Sequence, residues 1–214
     1  MDIILDTTFT VPGLKKASTV LAADTFDYTS PTLLPTRVGG RGWAEVPSGG
    51  SLLAALTVGG SAVKIATDPT TYADSRFATI PAVSNVVVES TLAGKPATPT
   101  SRWPFIAARI SPDGSKGIIV WALDFWEIQA WQAGTGTPLI ASTFAPTVGD
   151  KVAITVDGDV ASLHINGTPA ATVAAPAATY PGTLAGIASR RQTSGTSRIG
   201  QAWGDFRVRT PGII

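Results

Sequence analysis

The chain has 214 residues, 44% hydrophobic and 14% charged, with 16 Lys and Arg against 15 Asp and Glu. That balance provides for a sizeable core and excludes a disordered chain, and a net charge of +1 with no basic cluster beyond Arg190-Arg191 excludes a nucleic-acid partner. The absence of cysteine excludes a disulfide scaffold and thiolate chemistry, and one histidine cannot hold zinc without a shell of carboxylates, so neither metal nor cofactor is expected.

Short runs of two-residue periodicity follow one another along the chain, punctuated by Gly, Pro, Thr and Ser, with hardly a convincing helical period. This predicts an all-β sandwich. A first run over residues 3–10 ends at Val11-Pro12-Gly13, and a short polar stretch follows from Leu14 to Ser18. Residues 1–21 therefore read in two ways: an arm that docks on the body or on a partner, or the first strand and its loop. The body is expected to occupy residues 22–214. Its strands are expected over 22–28, 43–46, 52–57, 62–66, 72–79 and 85–92, with turns at Gly39-Gly40, Gly49-Gly50 and Gly59-Gly60. The Pro-containing stretch from Lys95 to Thr100 reads as a stiff loop, because the pattern is alike on either side. Further strands are expected over 104–110, 117–123, 125–131 and 139–144.

A three-strand meander over 152–156, 160–165 and 170–174 is the clearest local signal. Val152, Ile154 and Val156 share one face with Ala161, Leu163 and Ile165, while Ser162 and His164 take the other. Asp157-Gly158 and Asn166-Gly167 supply the hairpin turns. Strands over 184–189 and 199–209 complete the pattern. No apolar run reaches membrane-span length, since 117–123 is interrupted at Asp124, so no membrane insertion is expected. Met1-Asp2 lacks the basic opening of a secretory signal.

Two runs carry the chemistry. Phe125, Glu127, Gln129 and Trp131 share one side of a strand opposite Trp126, Ile128 and Ala130; Trp103, Phe105, Ala107 and Arg109 oppose Ile106, Ala108 and Ile110. An aromatic ring offers an apolar plate to a sugar's C–H face, and Arg, Glu and Gln serve its hydroxyls. The same rings would also fill the second side of a thick sandwich. The candidate glycan- or partner-binding residues are Trp103, Arg109, Glu127, Gln129 and Trp131. Trp121 follows Ile119 and is expected in the core, and packing explains Trp43 and Trp203 beside their glycines. His164 has no acid at a matching spacing in its strand. Asp157-Gly158-Asp159 fails the calcium-loop spacing at Ala161, and a turn explains it, as it explains the sequon Asn166-Gly167-Thr168. No phosphate-binding loop, dinucleotide fingerprint or nucleophile elbow occurs.

One order of features spans about residues 22–210: Asp24-Thr25-Phe26, Gly42-Trp43, the strand Val86-Val87-Val88-Glu89-Ser90, Ala107-Ala108-Arg109, Trp126-Glu127-Ile128, the double hairpin and the closing Gly204-Asp205-Phe206-Arg207-Val208. It resembles the concanavalin A-like (laminin-G-like) jelly rolls, especially those of minor tail and other virion-surface proteins in phages of actinobacteria. The resemblance implies two curved antiparallel sheets face to face, and glycan or protein binding on the concave face or rim loops. It does not imply catalysis. Glucanases of this fold alternate three acids as E-x-D-x-E on one strand; here Asp124 and Glu127 are three apart and Gln129 stands where a second acid is wanted, so no catalytic residue is expected. The expected function is that of a structural virion protein of a tailed phage, a minor tail or capsid-surface decoration protein. It would be assembled in the host cytoplasm, docked to other virion proteins as a homo-oligomer, and able to adhere to host-envelope glycans. The alternative is a secreted or cell-surface carbohydrate-binding lectin module, with a glycoside hydrolase ranked last.

Overall fold

Alternating side chains stand on opposite faces of an extended chain, so a run such as Val152–Val156 buries its apolar face only when its sheet stacks on another. The computed structural model describes residues 18–24, 32–33, 44–47, 56–59, 62–65, 75–94, 102–122, 124–133, 135–191 and 202–212. These residues form sixteen strands and no helix. They are β1 (Val20–Asp24), β2 (Thr32–Leu33), β3 (Ala44–Pro47), β4 (Leu56–Gly59), β5 (Ala62–Ile65), β6 (Ser75–Pro81), β7 (Val86–Gly94) and β8 (Arg102–Ile110). There follow β9 (Lys116–Ala122), β10 (Trp126–Gln132), β11 (Thr135–Ala141), β12 (Lys151–Asp157), β13 (Val160–Ile165), β14 (Thr168–Ala174), β15 (Leu184–Arg191) and β16 (Ala202–Arg209).

The strands make two antiparallel sheets. A nine-stranded sheet runs β14-β13-β12-β7-β16-β5-β4-β2, with β1 also on β16, and a seven-stranded sheet runs β11-β10-β9-β8-β15-β6-β3. Since β7 occupies one side of β16 along its length, β5 at Trp203 and β1 from Phe206 to Arg209 share the other. The main core lies between the sheets. Val88, Ile154, Leu163 and Val208 of one sheet and Ile106, Val120, Ile128 and Ile187 of the other are all buried in it, and Trp126 meets Trp203 at 5.9 Å between ring centroids. A second buried cluster, Phe105, Ala107, Ile110, Ile119, Trp121 and Trp131, occupies the opposite face of the seven-stranded sheet.

The meander folds as its turn residues dictate. Asn166 (φ 52°) and Gly167 (φ 80°) fill the two central positions between β13 and β14, the left-handed pair of a type I′ hairpin. In the first hairpin Asp157 ends β12, and the loop is Gly158-Asp159 with positive φ at Gly158 alone (53°). The expected division after residue 21 falls inside β1: Thr19 and Thr210 exchange hydrogen bonds, and β1 pairs along β16. The expected strand over 3–10 lies outside the described residues. β11 begins at Thr135, earlier than the expected 139, because the Gly- and Pro-bearing stretch still pairs with β10 as an edge strand.

Two bulges decide which side chains face where. On β8, Ala107 to Ile110 spans three residues against two on β15 from Gly186 to Leu184; the extra residue falls at Arg109, whose φ is 51°. On β16, Gly204 to Arg207 spans three against two on β7, with Asp205 at φ 49°. The Ser90 hydroxyl fixes this second bulge by donating to the Gly204 carbonyl at 2.8 Å. The extra residue lets both Trp203 and Phe206 enter the core while Arg207 and Arg209 face outward.

Candidate ligand-binding groove

The outward face of the nine-stranded sheet carries a groove of about 620 Å³ built on β13, β12, β7, β16 and β1. Register alone assembles it. Leu163, Ile154, Val88, Val208 and Ala22 form one row across these strands and are buried. The next row, one residue along each strand, therefore points out: His164, Ala153, Glu89, Arg207 and Ala23. Strands stand about 4.8 Å apart, so His164 and Arg207 bracket a span of about 14 Å. Ala153 keeps the floor low beside Glu89 between them, and Ala23 does so beyond Arg207. Flanking rows add Thr155 and Arg209 on one side and Lys151 and Thr91 on the other. Gly204 pairs with Thr91 without a side chain, and the bulge turns Asp205 onto the wall.

The charged groups are arranged unequally. Arg209 donates to Glu89 Oε1 from Nη2 at 2.7 Å and from Nε at 3.1 Å, and its Nη1 reaches Ser18 Oγ at 3.2 Å. Lys151, Arg207 and Asp205 are exposed, and among the described residues none has an ion-pair partner. The base of Lys151 is held: its backbone N–H donates to Asn166 Oδ1 at 2.9 Å, and Asn166 Nδ2 donates to Asp150 Oδ1 at 3.0 Å. Asp150 Oδ2 in turn accepts from Thr147 N and from the Trp126 indole. The turn asparagine thus anchors the groove's wall to the core. A groove of this kind offers hydroxyl donors, a fixed ion pair and two free cations above a shallow apolar floor.

The residues singled out from the sequence lie elsewhere, and two of them are corrected. Arg109 is 1% exposed, and its guanidinium is spent on the carbonyls of Ser84, Ala175 and Gly158 and on Asn85 Oδ1. The bulge at its own position exchanges its face with that of Ile110, which joins the second cluster. Burial pulls its pKa down, and the carboxylates of Asp159 and Asp157 oppose that shift. Trp131 is 0% exposed; its ring meets Phe105 at 5.7 Å and its indole N–H donates to the Gly114 carbonyl, so it packs and offers no surface plate. Gln129 is 3% exposed and half-buried Glu127 lies beside it, joined by a 2.7 Å bond from Gln129 Nε2 to Glu127 Oε2. They share the predicted face with Trp131, and Gln129 Oε1 is buried without a hydrogen-bond partner. Trp103 sits opposite Arg190 in the ladder, and its side chain lies outside the described residues. Trp121 is buried, but in the second cluster, stacked on Phe105 at 5.8 Å. Among the described residues no three His, Asp or Glu side chains gather as a metal site. Asp159, in the turn after β12, accepts from Ala177 N at 2.8 Å.

No protein-family profile matches the chain, and no curated protein matches it in sequence. Solved structures do match in shape. An endo-β-1,3-glucanase from Pyrococcus furiosus superposes with a TM-score of 0.59 at 13% identity, over 91% of this chain and 95% of that one. The CBM2 module of an evolved Dit from Lactobacillus casei BL23 phage J-1 gives 0.56 at 14% identity, over 94% and 98%. A Bacillus subtilis protein of unknown function with a galectin-like fold gives 0.52 at 12% identity, over 94% and 99%. The fold is a concanavalin A-like jelly roll. At these identities the likeness is one of architecture.

Proposed function

We propose that this jelly roll is a non-catalytic binding protein of a tailed-phage virion, docked to other virion proteins and holding host-envelope glycans in the groove of its nine-stranded sheet. The observation that carries the reading is the groove itself: an open depression of about 620 Å³ whose rim alternates cations, hydroxyls and one fixed ion pair. Such a surface suits a hydroxyl-rich, extended ligand, because each polar side chain gains a partner while the alanine floor receives the apolar C–H face. The phage Dit module supports the virion setting at the level of fold alone. A binding role without hydrolysis is supported at β10, where Gln129 occupies the place of a second carboxylate and donates to Glu127. Single-copy affinity need not be high, since many copies on one particle multiply it.

The test has two readouts. Full-length protein is applied to arrayed cell-envelope polysaccharides, alone and as Arg207→Ala. Binding that falls in the variant, at unchanged circular dichroism, is the expected result; absence of binding by the intact protein to every polysaccharide rejects the groove as a glycan site. Stoichiometric recovery of the chain in purified particles is expected of a virion part, and its absence from particles leaves a secreted lectin.

A further inference from the structure

The groove carries more positive charge than a neutral sugar needs. Its cations are Lys151, Arg207 and Arg209, and its carboxylates are Glu89 and Asp205. Glu89 and Arg209 neutralise one another through two hydrogen bonds to Glu89 Oε1. Lys151 and Arg207 remain against Asp205 alone, which sits at the bulge on the same strand as Arg207, so the lining keeps one more cation than carboxylate. We propose that the ligand is an anionic polysaccharide, one whose repeating units carry carboxylate or phosphate groups; this rests on the groove being a glycan site and specifies its substrate class.

The placement of the two free cations supports this. Lys151 lies opposite Thr91 and Arg207 opposite Glu89, which puts them two strand steps and one outward row apart. With strands about 4.8 Å apart and about 3.4 Å per residue, their Cα atoms are about 12 Å apart, on either side of β7. Glu89 stands on the strand between them, level with Arg207, and Arg209 reaches it from the next outward row of β16. A chain lying in the groove meets one on each flank, so charged groups repeated along it are engaged in turn. A neutral sugar would strip water from two cations and return no charge to either, which is unfavourable. An anionic unit returns a charge-assisted hydrogen bond to each, and the guanidinium fork of Arg207 matches both a carboxylate and a phosphate. The hydroxyl of Thr155 and the imidazole of His164 are left for ring hydroxyls.

Titration calorimetry on the full chain uses four probes: polygalacturonate, a poly(glycerol phosphate) teichoic acid, dextran and mannan. One or both anionic polymers should bind and the neutral ones should not; which anion binds names the source of the charge. Raising NaCl from low to molar concentration should weaken binding at least tenfold, since the Debye length falls from about 30 Å to about 3 Å. Lys151→Ala and Arg207→Ala should each lower affinity about tenfold, as loss of one charge-assisted contact does. Glu89→Gln should tighten binding severalfold by releasing Arg209, a gain that misfolding cannot produce. Binding to dextran or mannan that ignores salt and Glu89→Gln overturns the anionic assignment and leaves the glycan reading standing. Binding to none of the four probes overturns the anionic assignment, and absence of binding to every arrayed envelope polysaccharide as well overturns both.

Discussion

Replacing Arg109 by alanine tests whether one buried guanidinium locks an end of the sandwich. Nε donates to the Ser84 carbonyl at 2.7 Å, Nη1 to Ala175 at 3.0 Å, and Nη2 to Gly158 at 2.5 Å and to Asn85 Oδ1 at 3.3 Å. These four acceptors lie before β7, after β14 and in the β12–β13 turn, so the side chain ties together the three segments at that end. Each bond to a charged donor contributes about 1.5–3 kcal/mol, but Ser84, Asn85 and Gly158 are exposed and water replaces the donor there. The Ala175 bond is buried, and its carbonyl would lose its donor at about 1–3 kcal/mol. Loss of the packed aliphatic stem adds about 1–2 kcal/mol. The expected destabilisation of Arg109→Ala is about 2–5 kcal/mol, a large part of a domain's usual 5–15 kcal/mol or so. Arg109→Gly loses the same bonds yet relieves the left-handed backbone at φ 51°, and should be the milder by about 1 kcal/mol. Urea unfolding followed by tryptophan fluorescence measures both. A loss below about 1 kcal/mol in the alanine variant, or a glycine variant less stable than alanine, refutes the reasoning.

Gly182 packs beside the same bulge, and a Cβ there would collide with backbone atoms of Ile110 and Arg109, which cannot move aside as a side-chain tip can. Gly182→Ala should cost about 2–3 kcal/mol in urea unfolding. Asp113 in the β8–β9 turn accepts hydrogen bonds from Ser111 Oγ and from Ser115 N and Oγ, which lower its pKa from 3.8 to about 2. A depressed carboxylate stabilises the fold above its ordinary pKa, and that contribution disappears as pH falls from about 4 to about 2. Asp113→Asn should therefore flatten the decline in urea midpoint across that window; an unchanged decline counts against it. The Glu89–Arg209 pair has side chains 29% exposed on both sides, so Glu89→Gln should change stability by less than about 1 kcal/mol while altering ligand affinity. A larger loss by thermal unfolding would make the pair a structural strut.

What the sequence made legible is the part that strict alternation governs. Val152, Ile154 and Val156, with Ala161, Leu163 and Ile165, needed only period two and an Asn-Gly turn to be placed, and the outward position of His164 followed. Bulges are where that reasoning fails. A left-handed φ at Arg109 or Asp205 has no local signature, yet one extra residue reverses the faces beyond it, which is why Arg109 was placed with Phe105 and turned out to clamp loops. Glu127, Gln129 and Trp131 do share a face, as period two predicts, but period two cannot tell a surface plate from a second buried cluster. The groove is not legible in the sequence because it is a row across strands up to 184 positions apart, from Ala23 to Arg207, and only the topology joins them. A signal was available: the outward positions of four strands collect Glu89, Lys151, His164, Arg207 and Arg209, more charge than scattered surface positions would carry.

The position of β16 has a consequence for how the molecule comes into being. Among the described residues it alone joins the β14-β13-β12-β7 half of its sheet to the half holding β1, β5, β4 and β2. Until residues 202–209 have been synthesised, both halves present bare backbone edges, and the wall of the groove bearing Arg207 does not exist. Closure is therefore a late event that unites distant stretches of chain, slow by topology and open to edge-to-edge misassociation while it waits.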